Sequence, residues 1–331
     1  MAVTADAYGP YDSGAGAAIT EDFWRKFMGR LLPSAVIAGV NNELAPSGDS
    51  TGMQVKVATG AAWVRGAYGE WNGITTLPIA AVGGIPGGQS RIDSIIARND
   101  FVNNRMELDV LTGAAGASPS PPTLTQSSSV WEILLGNVGS LTNATSTITA
   151  AMVTDGRWKI TTSGLLYYEL SLPSASSVVL PAAGGILTGY RDLLLRITGR
   201  TGTVATNEAL NLRINGDTGS SYTWSALTAT GATPAGTAPT SATSISIGNL
   251  TGASAPSNLL AQIMVEIPEY ANTSVIRTLS SRSTYHGGGS NFQIGTFFGN
   301  WTGTSALANL TLLTGASGSF TAGRAIMTLL P

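Results

Sequence analysis

Residues 53–64, MQVKVATGAAWV, decide the fold. Met53, Val55 and Val57 alternate with Gln54 and Lys56, which puts apolar side chains on one face of an extended chain and polar ones on the other. Gly60 interrupts the run and Ala62, Trp63 and Val64 resume it, so the stretch predicts strand, turn, strand. The same period recurs downstream. Ile92 to Ala97 and Met106 to Leu111 flank a turn at Asn103 and Asn104, residues that tolerate the left-handed backbone of a tight hairpin. Met106, Leu108 and Val110 are expected to face one core, and Val130 to Leu141 predicts a further strand.

Composition agrees with a β-rich chain. Of 331 residues, 43% are apolar and only 11% charged, against roughly 25% charged in an ordinary soluble protein. Ser, Thr, Asn and 41 Gly take the place of charge, a mixture suited to hydroxyl-covered strands and tight turns. The formal net charge of −2 gives no basic footprint for nucleic acid. Cysteine is absent, so packing must supply stability without disulfides. Apolar runs fall short of the roughly 20 residues of a spanning helix, and the N-terminus lacks the order of a signal peptide. Synthesis in the cytosol and no membrane insertion are expected.

Residues 1–19 predict an extended N-terminal arm. One helix follows, with Thr20 as N-cap and Glu21 and Asp22 in the first turn; Phe23, Trp24, Phe27, Met28, Leu31 and Leu32 form an apolar stripe that Pro33 ends. Arg25, Lys26 and Arg30 are expected to face away. The stripe either covers a sheet of its own domain or meets a neighbouring protein, which makes Trp24, Phe27 and Leu31 the candidate assembly interface. A β domain over 20–160 is expected, with the Pro-rich 113–129 as a connection inside it, then a linker over 161–185 and a second domain over 186–331. In the second domain strands are expected at Leu193–Thr198, Leu210–Ile214, Ser244–Ile247, Leu260–Ile267, Val275–Ser281, Asn309–Leu313 and Arg324–Leu330. Short strands with Gly/Ser/Asn/Pro turns predict an antiparallel β-sandwich of jelly-roll type. The fold class is mainly β: a β-rich N-terminal domain with one short helix, then the sandwich.

Groups able to do chemistry are sparse. His286, in YHGGGS, is the one histidine; metal sites usually need several strong ligands, so it reads as a loop residue and no metal or cofactor is expected. No G-x-S-x-G elbow presents a nucleophile. Glu266 and Glu269 are the closest acidic pair in the second half and are expected to be solvated carboxylates rather than a glycosidase pair. Asp217, in NGDTGS, predicts an Asx-type turn. Arg91 and Asp93 share a strand face, which suits a salt bridge or an intersubunit contact, the bridge being the plainer choice. GGIPGG at 83–88 lacks the Lys-Ser/Thr of a phosphate loop and predicts a flexible loop. Tyr222, Trp224, Tyr285 and Trp301 are the candidate glycan-binding aromatics, since ring faces can stack on sugars; core or interface roles suit them equally in type.

Two series of blocks carry a resemblance. FWRKFM, GMQVKVATGAAWVRGAYGEWNG, RIDSIIARND, MELDVLTG, PSPPTLTQ and VWEILLGNV occur in that order between Phe23 and Asp155. They resemble an N-terminal module of phage tail and baseplate-type structural proteins. LLLRITGRT, LNLRINGDTGSSY, EIPEYANT and GTFFGNW resemble a β-sandwich found at the C-terminal end of phage tail proteins. The resemblance implies a virion component without enzymatic activity, a minor tail or baseplate protein that docks through its first domain. It implies a homotrimer that contacts other tail proteins, is made in the host cytoplasm, and displays its sandwich, with host cell-surface glycan as the candidate ligand. A capsid decoration or head-fibre protein is the alternative that module exchange among phages leaves open.

Overall fold

The computed structural model describes residues 20–288, 291–315 and 318–331; the arm expected over 1–19 lies outside the described residues. The chain is mainly β, with one α-helix among the described residues, and divides into two compact units, Met1–Leu166 and Tyr167–Pro331.

In the first unit, helix α1 (Glu21–Leu31) begins as its sequence predicts. Thr20 has extended backbone, and its hydroxyl accepts the Phe23 N–H at 3.1 Å, satisfying one of the orphan donors of the first turn. Eleven strands follow: β1 (Ala35–Ile37), β2 (Pro46–Ser47), β3 (Gln54–Val57), β4 (Gly60–Val64), β5 (Ala67–Trp71), β6 (Thr75–Pro78), β7 (Arg91–Asp100), β8 (Arg105–Leu111), β9 (Val130–Leu141), β10 (Val153–Asp155) and β11 (Lys159–Ile160). Strands β10-β9-β7-β8 form one sheet, β2-β3-β6 another, and β5-β4-β1-β11 are hydrogen-bonded in that order. Val55 and Val57 are completely buried, as the alternation from Met53 requires, beside Ile95, Leu135 and Val138. Met106, Leu108 and Val110 pack on the same core. Asn104 takes φ 50° in the β7–β8 turn, and Asp100 accepts the N–H groups of Val102 and Asn103 there, each at 3.0 Å.

The second unit contains β12 (Leu166–Ser171), β13 (Ser177–Leu180), β14 (Asp192–Thr201), β15 (Asn207–Ile214), β16 (Tyr222–Thr230), β17 (Thr233–Thr237), β18 (Ile245–Thr251), β19 (Ala261–Ile267), β20 (Arg277–His286), β21 (Phe292–Trp301), β22 (Leu310–Thr314) and β23 (Phe320–Leu330). One run of strands is β17-β16-β21-β20-β19-β14-β23-β12, and a second, β13-β22-β15-β18, joins it where β18 pairs with β14 at Thr251 and Arg200. The antiparallel pairs β14·β23, β15·β22 and β16·β21 are nested, early strands meeting late ones, which is the connectivity of a jelly-roll-like sandwich. The stretch 161–185, expected as a linker, carries β12 and β13. Tyr168 and Leu180 are buried there, and the Tyr168 hydroxyl accepts the Ala182 N–H at 2.9 Å.

Small inner residues let the two runs approach. A Cβ on Gly299 would stand 2.6 Å from Ile245, and one on Gly248 would stand 2.4 Å from Ser283. Ser281 donates its hydroxyl to the Ile247 carbonyl at 2.6 Å, and the Ser283 hydroxyl accepts the Asn249 N–H at 3.2 Å. Part of the Ser content therefore lies inside, satisfied by the facing backbone as burial demands.

Candidate functional site

The exposed face of α1 is built by the residue behind it. The Arg65–Gly66 turn joins β4 to β5 with φ 49° and 86°, the two positive angles of a type I′ hairpin. A Cβ on Gly66 would sit 2.0 Å from the Arg25 carbonyl oxygen, so the glycine lets the helix backbone lie against the turn. Arg25, expected to face away, instead covers the Phe101 ring at 4.2 Å while bonding Asp22 at 2.5 Å. Lys26 and Arg30 do face away as expected, and Phe23, Met28 and Leu32 of the stripe are half-buried. Trp24, Phe27 and Leu31 are 43%, 45% and 57% exposed, so about half of each side chain is left for a neighbour to cover. Phe23 and Phe27 stack at 6.3 Å, and Trp24 meets Phe27 edge-on at 5.9 Å, which holds the stripe as one aromatic surface. Trp24 also borders a groove of about 280 Å³ with Tyr68, Phe101 and Arg105.

Charges in this unit are structural. Arg91 and Asp93 form a buried pair, Nε to Oδ1 at 2.8 Å and Nη2 to Oδ2 at 2.9 Å, with Ala80 O and Gly113 N–H completing it. This is the salt bridge of the two alternatives. On the same sheet, Arg98 bonds Glu132, Glu107 and Asp109 at 2.9, 2.9 and 2.6 Å. Burial works against the Arg98 charge, but these three carboxylates prevail and push its pKa above the ordinary value. The GGIPGG loop is pinned rather than free: Asn143 accepts the Ile85 N–H at 3.1 Å and donates to its carbonyl at 2.5 Å, and the Ile85 side chain is buried.

In the second unit the expected glycan aromatics are drawn inward. Tyr222, Tyr285 and Trp301 are buried, their rings enclosed by the protein, so none offers a face to a sugar; Trp224 is half-buried. The Tyr222 hydroxyl accepts the Ile214 N–H at 3.1 Å and donates to the Asp217 carbonyl at 3.0 Å. Trp301 Nε1–H donates to Asp217 Oδ2 at 2.7 Å, and Asp217 Oδ1 accepts the Gly219 N–H at 2.8 Å, the Asx turn its motif predicts. The indole N–H, then the Gly219 amide, hold the Asp217 carboxyl below the usual range. Glu266 lies exposed on β19, whereas Glu269 sits in the following turn at φ 51°, with Arg191 at 4.0 Å. His286 ends β20; its Nδ1 accepts the Gly288 N–H at 3.0 Å, and its ring stacks on Phe292. Among the described residues no cluster of three or more His, Asp or Glu could hold a metal, and no helix is long and apolar enough to cross a membrane.

A surface missed in sequence lies on β16 and β21, where Leu227, Ile294 and Phe298 are exposed. The alternation Phe292, Ile294, Phe298 was the available signal.

No protein-family model and no curated protein matches the chain. One solved structure, described as "Structure of infectious bursal disease virus Gx strain", is similar at 14% identity over 90% of this chain and 75% of that one, with a TM-score of 0.15. A likeness of that size carries no argument about fold or function.

Proposed function

We propose that this chain is a structural component of a phage virion, a minor tail or baseplate protein that docks through α1 and displays the sandwich of its second unit, assembled as a homotrimer. The observation that carries this reading is the apolar stripe Trp24, Phe27 and Leu31, whose side chains stand together half-exposed along one helix. Contiguous exposed apolar surface marks a contact site, and covering these half-exposed side chains would contribute about 1–2 kcal/mol each. The ordered sequence blocks between Phe23 and Asp155 support the tail as the place. Glycan contact by the second unit, if the sandwich makes it, falls to groups other than the buried Tyr222, Tyr285 and Trp301.

Immunogold labelling of purified particles with antibody to this chain tests the placement. Label on tails is expected. Labelled heads with bare tails would overturn it and favour a capsid decoration or head fibre. A chain carrying Trp24→Ser and Phe27→Ser is expected to fold and yet be missing from particles.

A further inference from the structure

The longer run of strands in the second unit has an outer face of unusual make-up. One registered row across β16, β21, β20, β19 and β14 reads Ser225, Phe298, Ser280, Glu266 and Leu194. The next reads Leu227, Thr296, Arg282, Met264 and Arg196. Leu227 is 66% exposed and Phe298 and Ile294 are each 55% exposed. Two shallow depressions lie on this face, one of about 450 Å³ along the first row and one of about 400 Å³ around Leu227, Arg282 and Ile294. Arg196, Arg282 and Glu266 are exposed among these apolar groups, and none of the three is in an ion pair among the described residues.

We infer that this face is where one copy of the chain meets a second, with Arg282 of each set against Glu266 of its neighbour. Two features of the face choose that occupant. The face carries both signs of charge: Met264 pairs in register with Arg282 on one side and Arg196 on the other, and Glu266 with Ser280 and Leu194, so Glu266 stands diagonally to an arginine on each neighbouring strand. A two-fold axis in the contact plane sets Arg282 of each copy against Glu266 of the other. The area allows it. Five strands about 4.8 Å apart and about nine residues long give the whole face a flat area of roughly 700 Å², so nearly all of it must be used to reach the roughly 800 Å² each partner gives to a stable interface. The inference rests on the reading of this chain as part of an assembly, and a two-fold contact of this kind pairs copies rather than closing the proposed trimer.

Sedimentation equilibrium of the full chain tests it. Self-association is expected, with Arg282→Glu and Glu266→Arg each weakening it at least about ten-fold through like-charge contact and the double reversal restoring it. Ile294→Thr, at an exposed position, should weaken it without altering the β-type circular dichroism. A monomeric wild-type chain, single reversals with unchanged affinity, or a folded double variant that stays weak would each overturn the contact. A monomer that still labels phage tails would sink this interface alone, whereas an oligomer absent from virions would sink the virion reading alone.

Discussion

Tyr270 is wholly buried, and its hydroxyl donates to the Leu187 carbonyl at 2.5 Å. Burial first, and the neighbouring Tyr190 second, push its pKa from 10.0 up to about 12. The folded chain therefore keeps a proton that the unfolded chain sheds near 10.0. By linkage the stability Tyr270 contributes is fully present below that value and is lost as pH rises toward about 12. Urea midpoints should fall across this interval, and Tyr270→Phe, which cannot ionise, should flatten the fall. An equally steep fall in Tyr270→Phe would show that this hydroxyl does not titrate with folding. Tyr222 and Trp301 illustrate the same physics without a functional role. Each has an apolar ring and one polar atom, and here Ile214 and Asp217 satisfy the polar atoms inside the protein. Sequence cannot tell such a ring from one stacked on a sugar, because the partners that decide it lie 84 residues apart for Asp217 and Trp301.

At the scale of elements, the β4–β5 hairpin and α1 stand or fall together at Gly66. Gly66→Ala places a side chain at φ 86° and on top of the Arg25 carbonyl. The left-handed backbone alone costs roughly 1–2 kcal/mol, and the contact adds to it. Chemical denaturation should show at least that loss, and release of Arg25 from Phe101 should appear in the Phe101 ring resonances. A stability within error of wild type would mean that the helix does not depend on this turn. The helix itself was legible, since Thr20, the stripe and Pro33 are local signals. The exposure of Lys26 and Arg30 was legible too, but the inward turn of Arg25 was not, because it follows from Gly66 and Phe101, which lie far along the chain. Strand β9 was legible to the residue, Val130–Leu141, as a long apolar run between turn signals. Strands β16 and β21 were not, since the inward positions of β21 mix Gly295 and Gly299 with the buried Phe297 and Trp301 while Phe298 and Ile294 lie outside, which blurs the apolar–polar alternation. Strands β12 and β13 were hidden by flanking Pro and Gly, though Tyr168, Val178 and Leu180 bury at a period of two.

For the molecule as a whole, 11% charge leaves stability to packing, and the packing is concentrated in two places. Leu135 is completely buried in the core of the first unit, and Leu195 is completely buried in the second. Two cores that each exclude water need not melt as one. Calorimetry of the intact chain is therefore expected to give a measured enthalpy larger than the van't Hoff enthalpy, the sign of more than one cooperative transition. Truncating either leucine to alanine removes transfer energy and opens a cavity, at a cost of about 2–5 kcal/mol. Leu135→Ala should lower one transition and Leu195→Ala the other, each leaving its counterpart in place. Equal enthalpies, with both substitutions moving a single common transition, would mean that the chain is one cooperative body and that docking through α1 cannot be separated from display of the sandwich.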